Sequence, residues 1–225
     1  MGRHVLRRAG ELAGAWILAP ERYDPRRLVA VGSTRRVAEL VDFVTDSVHA
    51  QSLPPERPLL VLDTSHAYDG FVVLRHAPGR PADLGSAKRT LQAGDVLVSR
   101  LRPYLRQIAY VDEDLFWRDP AGNDVCGSSE FFVLRSKAGF DAAALVPFLL
   151  SPPVQAALSA GQEGGHHPRF SRELLATMPV PDCVVQDAAA TAQRVRELAR
   201  SLRHAMNGLC SLVMSIQNPI TERST

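Results

Sequence analysis

The hydrophobic pattern changes character twice along the chain, and each change predicts a different kind of element. Val37, Leu40, Val41, Val44 and Val48 recur at helical spacing, which predicts a helix that Ser33 or Thr34 would cap. From Pro58 onward, short apolar runs alternate with turn residues. LLVLD at 59–63, GFVVL at 70–74, DVLVS at 95–99, QIAYV at 107–111 and EFFVLRS at 130–136 read as strands. Between the second and third lies RHAPGRPADLGSAKRTLQAGD, rich in Pro and Gly, which is expected to be a long surface loop carrying Arg75, Arg80, Lys88 and Arg89. FDAAALVPFLLSPPVQAALSAG then reads as two helical pieces broken at Pro152-Pro153. A loop, GQEGGHHPRF, and a short SRELLATMPVPDC that ends on prolines follow.

The last periodicity is the clearest. Ala192, Ala199, Met206 and Val213 form one series spaced by seven, and Val195, Leu202, Leu209 and Ile216 form a second, offset by three. This is the a/d seam of a coiled coil, ended by Asn218-Pro219. It predicts a dimerising helix paired through Val195, Ala199, Leu202, Met206, Leu209, Val213 and Ile216; the alternative is a long helix lying on its own domain. The expected class is therefore α/β (α+β mixed), with a central mixed sheet followed by a long C-terminal coiled-coil helix. Residues 1–57 form an N-terminal arm and helix attached to the body, 58–183 its core, 184–218 the dimerising helix and 219–225 a tail.

Length and composition support one folded body, since 225 residues with 45% apolar content can bury a sizeable core. The net charge of +2 hides an uneven distribution. Residues 1–110 hold 16 Lys and Arg against 11 acids, whereas residues 111–181 hold 5 against 9. Only Lys88 and Lys137 are lysines, so 26 − 2 leaves 24 arginines. Their planar forks suit phosphate or guanine, although arginine-rich coding alone would give the same count. Cys126, Cys183 and Cys210 are far apart and follow no metal or disulfide spacing, which suits a reducing cytoplasm. The apolar run near the N-terminus is interrupted by Glu11 and too short to span a membrane, so neither a signal peptide nor a membrane segment is expected.

The motifs that enzymes of several classes require are missing: no glycine-rich nucleotide loop, no nucleophile elbow and no H-E-x-x-H. Catalysis, a cofactor and a resident metal are therefore not expected. His166-His167 in their glycine-rich loop lack a third ligand at metal-binding spacing; beside Arg169 they are better placed as donors to phosphate or base edges. The stretch GDVLVSRLRPYLRQIA at 94–109 poses the sharper question. Arginines and a proline at the end of a strand are how proteins block edge-to-edge pairing, and equally how they face a polyanion. Lys88, Arg89, Arg100, Arg102 and Arg106 stand against only Asp95 within residues 86–106, and Tyr104 adds a stacking group.

GDVLVSRLRPYLRQIAYV, followed by CGSSEFFVLRS, LVPFLLSPPVQAALSAG and PRFSRELLATMPVP, resembles the target recognition domain of type I restriction-modification specificity subunits. The likeness covers roughly residues 58–217 and rests on the order and spacing of four blocks. It implies a mixed α/β domain lying along the DNA major groove, with long helices that pair as an antiparallel coiled coil. Because specificity subunits hold two such domains and this sequence holds one, the resemblance is to a half subunit. It implies a non-catalytic reader of double-stranded DNA that directs a methyltransferase subunit, with or without a restriction or translocase subunit, in a phage-defence setting. A homodimer would present two domains to a bipartite inverted repeat. A helix of about 31 residues is about 46 Å long, which sets an upper spacing of about 13 base pairs. The expected DNA contacts are Lys88, Arg89, Arg100, Arg102, Tyr104, Arg106, His167 and Arg169. The rival reading is a protein-interaction adaptor of a defence system that uses the same fold without reading DNA.

Overall fold

The computed structural model describes residues 35–74, 76–119, 122–164 and 168–221, without the side chains of Met214 and of 216–221. Ser33, Thr34 and the N-terminal arm lie outside the described residues, as does the cytoplasmic or membrane question that the arm raises.

The chain opens with β1 (Arg35–Arg36), α1 (Val37–Leu40), β2 (Val41–Val44) and β3 (Ser47–Val48). The helix expected through Val48 therefore stops after one turn. Val41 and Val44 are β-branched and satisfy a strand's alternation as well as a helix's, and β2 is drawn into antiparallel pairing with β11 (Phe131–Ser136), Val44 opposite Val133. Residues 35–48 thus belong to the body itself, and β1 closes it by pairing with β12 (Pro179–Val180).

Two sheets stack. The larger has six strands in the order β2, β11, β8 (Val96–Ser99), β9 (Ile108–Tyr110), β6 (Gly70–Val72) and β5 (Ala67–Tyr68). It is antiparallel except where β6 runs parallel to β9. The smaller has four strands, β3, β7 (Lys88–Thr90), β10 (Asp124–Gly127) and β4 (Leu59–Leu62). The expected strand runs at 59–63, 70–74, 95–99, 107–111 and 130–136 all contain strands. The expected loop between 75 and 94 instead contains β7, and Leu91 behind it is buried.

Alternation along β8 explains the layering. Val96 and Val98 face one core with Ile108, Tyr110 and Leu134, while Leu97 faces another with Leu60, Leu62, Ala109 and Val133. The first core is covered by α2 (Leu145–Leu150) and α3 (Pro152–Ala160), which meet at 79° across Ser151. Pro152 is tolerated there because the first helical turn has no amide donor to lose. The second core is closed by the smaller sheet. The body is thus helix, sheet, sheet, and β8 lies at its centre rather than at an edge, so Arg100 and Arg102 do not shield an open edge.

After α4 (Arg172–Ala176), capped by the Ser171 hydroxyl accepting from the Leu174 amide, and α5 (Asp182–Gln186), the long α6 runs over Ala188–Thr221. It passes through Asn218-Pro219, which were expected to end it. A proline this near the last turn removes one backbone donor where few intrahelical bonds remain to be lost. Ala188, Ala192, Val195 and Ala199 pack into the first core. Arg203, buried, donates to both Asp112 carboxylate oxygens (2.6 and 3.4 Å) and to the Val72 carbonyl (3.0 Å). No single helix among the described residues is long and apolar enough to cross a membrane.

Candidate nucleic-acid interface

The connection from β8 to β9 is a tight loop, closed where the Ser99 amide donates to the Gln107 carbonyl. Pro103 disfavours the α region for the residue before it, and Arg102 takes a left-handed conformation with φ +43°. Pro103–Leu105 then form a short 3-10 turn, with Pro103 buried, and Arg106 returns to the strand through a second left-handed residue, φ +53°. Asp69, φ +42°, is the third, and completes the non-glycine residues with positive φ among those described. It precedes Gly70, φ +100°, at the tight turn between β5 and β6, and its carboxylate accepts from Arg106 Nε at 2.6 Å.

A second loop is tied to this one. Glu163 and Arg169 close it through two backbone hydrogen bonds, 2.8 and 3.0 Å, and it docks by the Arg102 amide donating to Pro168 and the Phe170 amide to Arg100. The carboxylate of Glu130, in the turn between β10 and β11, receives Arg100 Nε at 2.7 Å and Arg169 at 2.7 and 3.1 Å. Hydrogen bonds from Arg169, and then from Arg100, outweigh its partial burial and hold the carboxyl down to about 2. Sharing one acid between two arginines fixes both guanidiniums and leaves a surplus positive charge.

Tyr104 (59% exposed), Leu105, Arg102 and, beside Asp69, Tyr68 (62%) remain open to solvent at this end. Arg102 has no carboxylate partner among the described residues. Next to Tyr68 lies a cleft of about 480 Å³ lined by Ser65, His66, Tyr68 and Val73. His66 stacks on His76 at 4.8 Å, and burial, with its neighbour's charge, lowers its pKa. Donors to phosphate or base edges and two exposed aromatic rings thus share one end of the body.

The expected contacts divide. Arg100, Arg102, Tyr104, Arg106 and Arg169 come together on the two joined loops. Lys88 and Arg89 stand on β7, where Arg89 opposes Gly127, just before the turn holding Glu130. Arg89 is engaged internally, donating to the Thr45 carbonyl and to Ser47 Oγ, and its Nε is enclosed. Lys88 donates to Ser86 Oγ at 3.0 Å. His167 lies outside the described residues. Asp69 and Glu130, which organise the site, were not singled out by sequence; the Asp69-Gly70 dipeptide was the available signal, since it marks a tight turn. Among the described residues, no cluster of three or more His, Cys, Asp or Glu is arranged to hold a metal ion.

No protein-family model matches the sequence, and no curated protein matches it. Solved structures do. A chain from the work titled "Structural basis underlying complex assembly and conformational transition of the type I R-M system" superposes with a TM-score of 0.53 and 24% identity, over 84% of this chain and 48% of that one. The crystal structure of the HsdS subunit from Thermoanaerobacter tengcongensis superposes with a TM-score of 0.51 and 23% identity, over 80% of this chain and 46% of that subunit. The fold is thus the one seen in type I specificity-subunit structures, a recognition-domain body followed by a long helix. The chain spans about half the length of those it matches.

Proposed function

We propose that this chain is a non-catalytic DNA-recognition component of a restriction-modification system, which presents the joined 99–107 and 163–170 loops to double-stranded DNA and delivers a partner methyltransferase to its target. Two copies joined through α6 would read a bipartite inverted repeat. The observation that carries the reading is the concentration of Asp69, Arg102 and Arg106, each strained into the left-handed region, beside the Arg100–Glu130–Arg169 cluster. Strain of that kind persists where the surrounding fold over-determines it and is concentrated at functional sites. Four arginines against two carboxylates leave this end with a surplus of two positive charges, flanked by Tyr68 and Tyr104.

The adaptor reading has one observation in its favour: Arg100, Arg106 and Arg169 already hold carboxylate partners. Gel-shift titration of genomic fragments across salt concentrations separates the two. A reader of sequence retains selected fragments at salt that releases bulk DNA, because base contacts do not depend on counterion release. If no fragment is selected, even with the cognate methyltransferase present, the adaptor reading stands instead.

A further inference from the structure

The body of the molecule claims part of the coiled-coil seam. Ala192, Val195 and Ala199 are buried in the core, and Arg196, Arg200, Arg203 and Asn207 bond to Asp141, Glu113, Asp112 and Arg118 of the body. Those contacts take one side of α6. A different apolar stripe runs along the other: Leu198 (43% exposed), Leu202, Ala205, Leu209 (64%) and Leu212 (63%), at alternating spacings of four and three. The sequence extends the same spacing back to Val195 and on to Ile216. Such alternation is a coiled-coil seam in its own right, shifted around the helix from the one the spacing by seven suggested.

Resting on the reading that α6 pairs with a second helix, we propose that this outer stripe is the seam and that its occupant is α6 of a second copy, running antiparallel. Residues 205–221 carry no charged side chain, so the stripe lacks the flanking charges by which coiled coils choose a different partner or repel a copy of themselves. Orientation follows from packing. In a parallel pair Ala205 faces Ala205 and leaves a void. In an antiparallel pair centred level with position 207, Leu198 meets the position of Ile216, Leu202 meets Leu212, and Ala205 meets Leu209. Every layer is filled, with the small residue against a large one.

Sedimentation of the full chain at micromolar concentration tests this, with circular dichroism confirming the fold. The wild type is expected to be a dimer, and Leu212→Lys to dissociate it with at least about a tenfold rise in Kd. Ala205→Lys and Leu209→Glu, both at exposed positions, should each weaken the dimer. Mixed together, they should form a heterodimer, because the new charges face each other only in the antiparallel register. A mixture that stays monomeric, or a Leu212→Lys variant that stays dimeric while Val213→Lys dissociates, overturns the outer seam and leaves pairing intact. A monomeric wild type overturns the pairing reading itself.

Discussion

Arg102 holds a left-handed backbone conformation that costs a residue with a Cβ about 1–2 kcal/mol. Replacing it by glycine removes that strain, while glycine's greater freedom in the unfolded chain offsets part of the gain. The expected outcome for Arg102→Gly is a net stabilisation of no more than about 1 kcal/mol in urea unfolding, together with weaker DNA retention. If the lost contact is to phosphate, affinity falls for all sequences alike and the salt slope drops by about one unit; if it is to a base, one position of the target relaxes. Glu130 gives a second test at this scale. Its carboxyl lies well below its unfolded value, so the stabilisation from Arg169 and Arg100 is fully present above the ordinary carboxylate range and lost as pH falls from 4.5 toward about 2. Glu130→Gln should therefore lose less urea stability than the wild type between about pH 6 and about pH 3, by an amount that solvent screening keeps small. The arginines of this site were legible because charge and proline punctuate the sequence. Their carboxylate partners were not, because Asp69 and Glu130 are 37 and 30 residues away from Arg106 and Arg100 and meet them only through strand pairing.

At the scale of elements, the apolar runs that alternate with turns were strands because burial on both faces of the central sheet demands continuous hydrophobic stretches. The errors have equally physical causes. Val37 to Val44 fits both periods, and tertiary pairing with β11 decided between them. β7 is the polar triplet Lys-Arg-Thr, and β10 follows Gly122 and Asn123, so both look like loop until the smaller sheet is assembled. The helix seam was read correctly as a pair of apolar stripes, but periodicity does not distinguish a stripe that meets the chain's own body from one that meets another chain. The junction between α6 and the sheet makes its own prediction. Asp112→Ala would leave the buried Arg203 cation with only the Val72 carbonyl, and should cost about 3–5 kcal/mol in urea unfolding. Asp112→Leu with Arg203→Met removes both charges and should recover most of that loss, since apolar side chains of similar size replace a buried pair at little cost. A small effect of Asp112→Ala would show that α6 is held by the alanine and valine packing alone.

For the whole molecule, a net charge of +2 is too small to draw a chain to DNA, so affinity has to come from where the charges sit and from how many copies act together. Two recognition ends on one rigid pair of helices bind cooperatively only to half-sites at a matching distance. The helix length alone set an upper spacing of about 13 base pairs, counted as though the bodies sat at opposite tips of α6. The body instead grips α6 from Ala188 to Asn207, and the outer seam centres the pair near position 207. From the middle of the gripped stretch to that centre is about 10 residues, or about 15 Å, so the two bodies are about 30 Å apart along the helices. Half-sites are therefore expected about 9 base pairs apart, centre to centre, on the same inverted repeat. Selection from a randomised duplex pool, followed by footprinting, reads that spacing directly. A recovered repeat spaced at about 13 base pairs or more would place the bodies at the tips and require a shorter helix overlap than the seam from Leu198 to Leu212 provides.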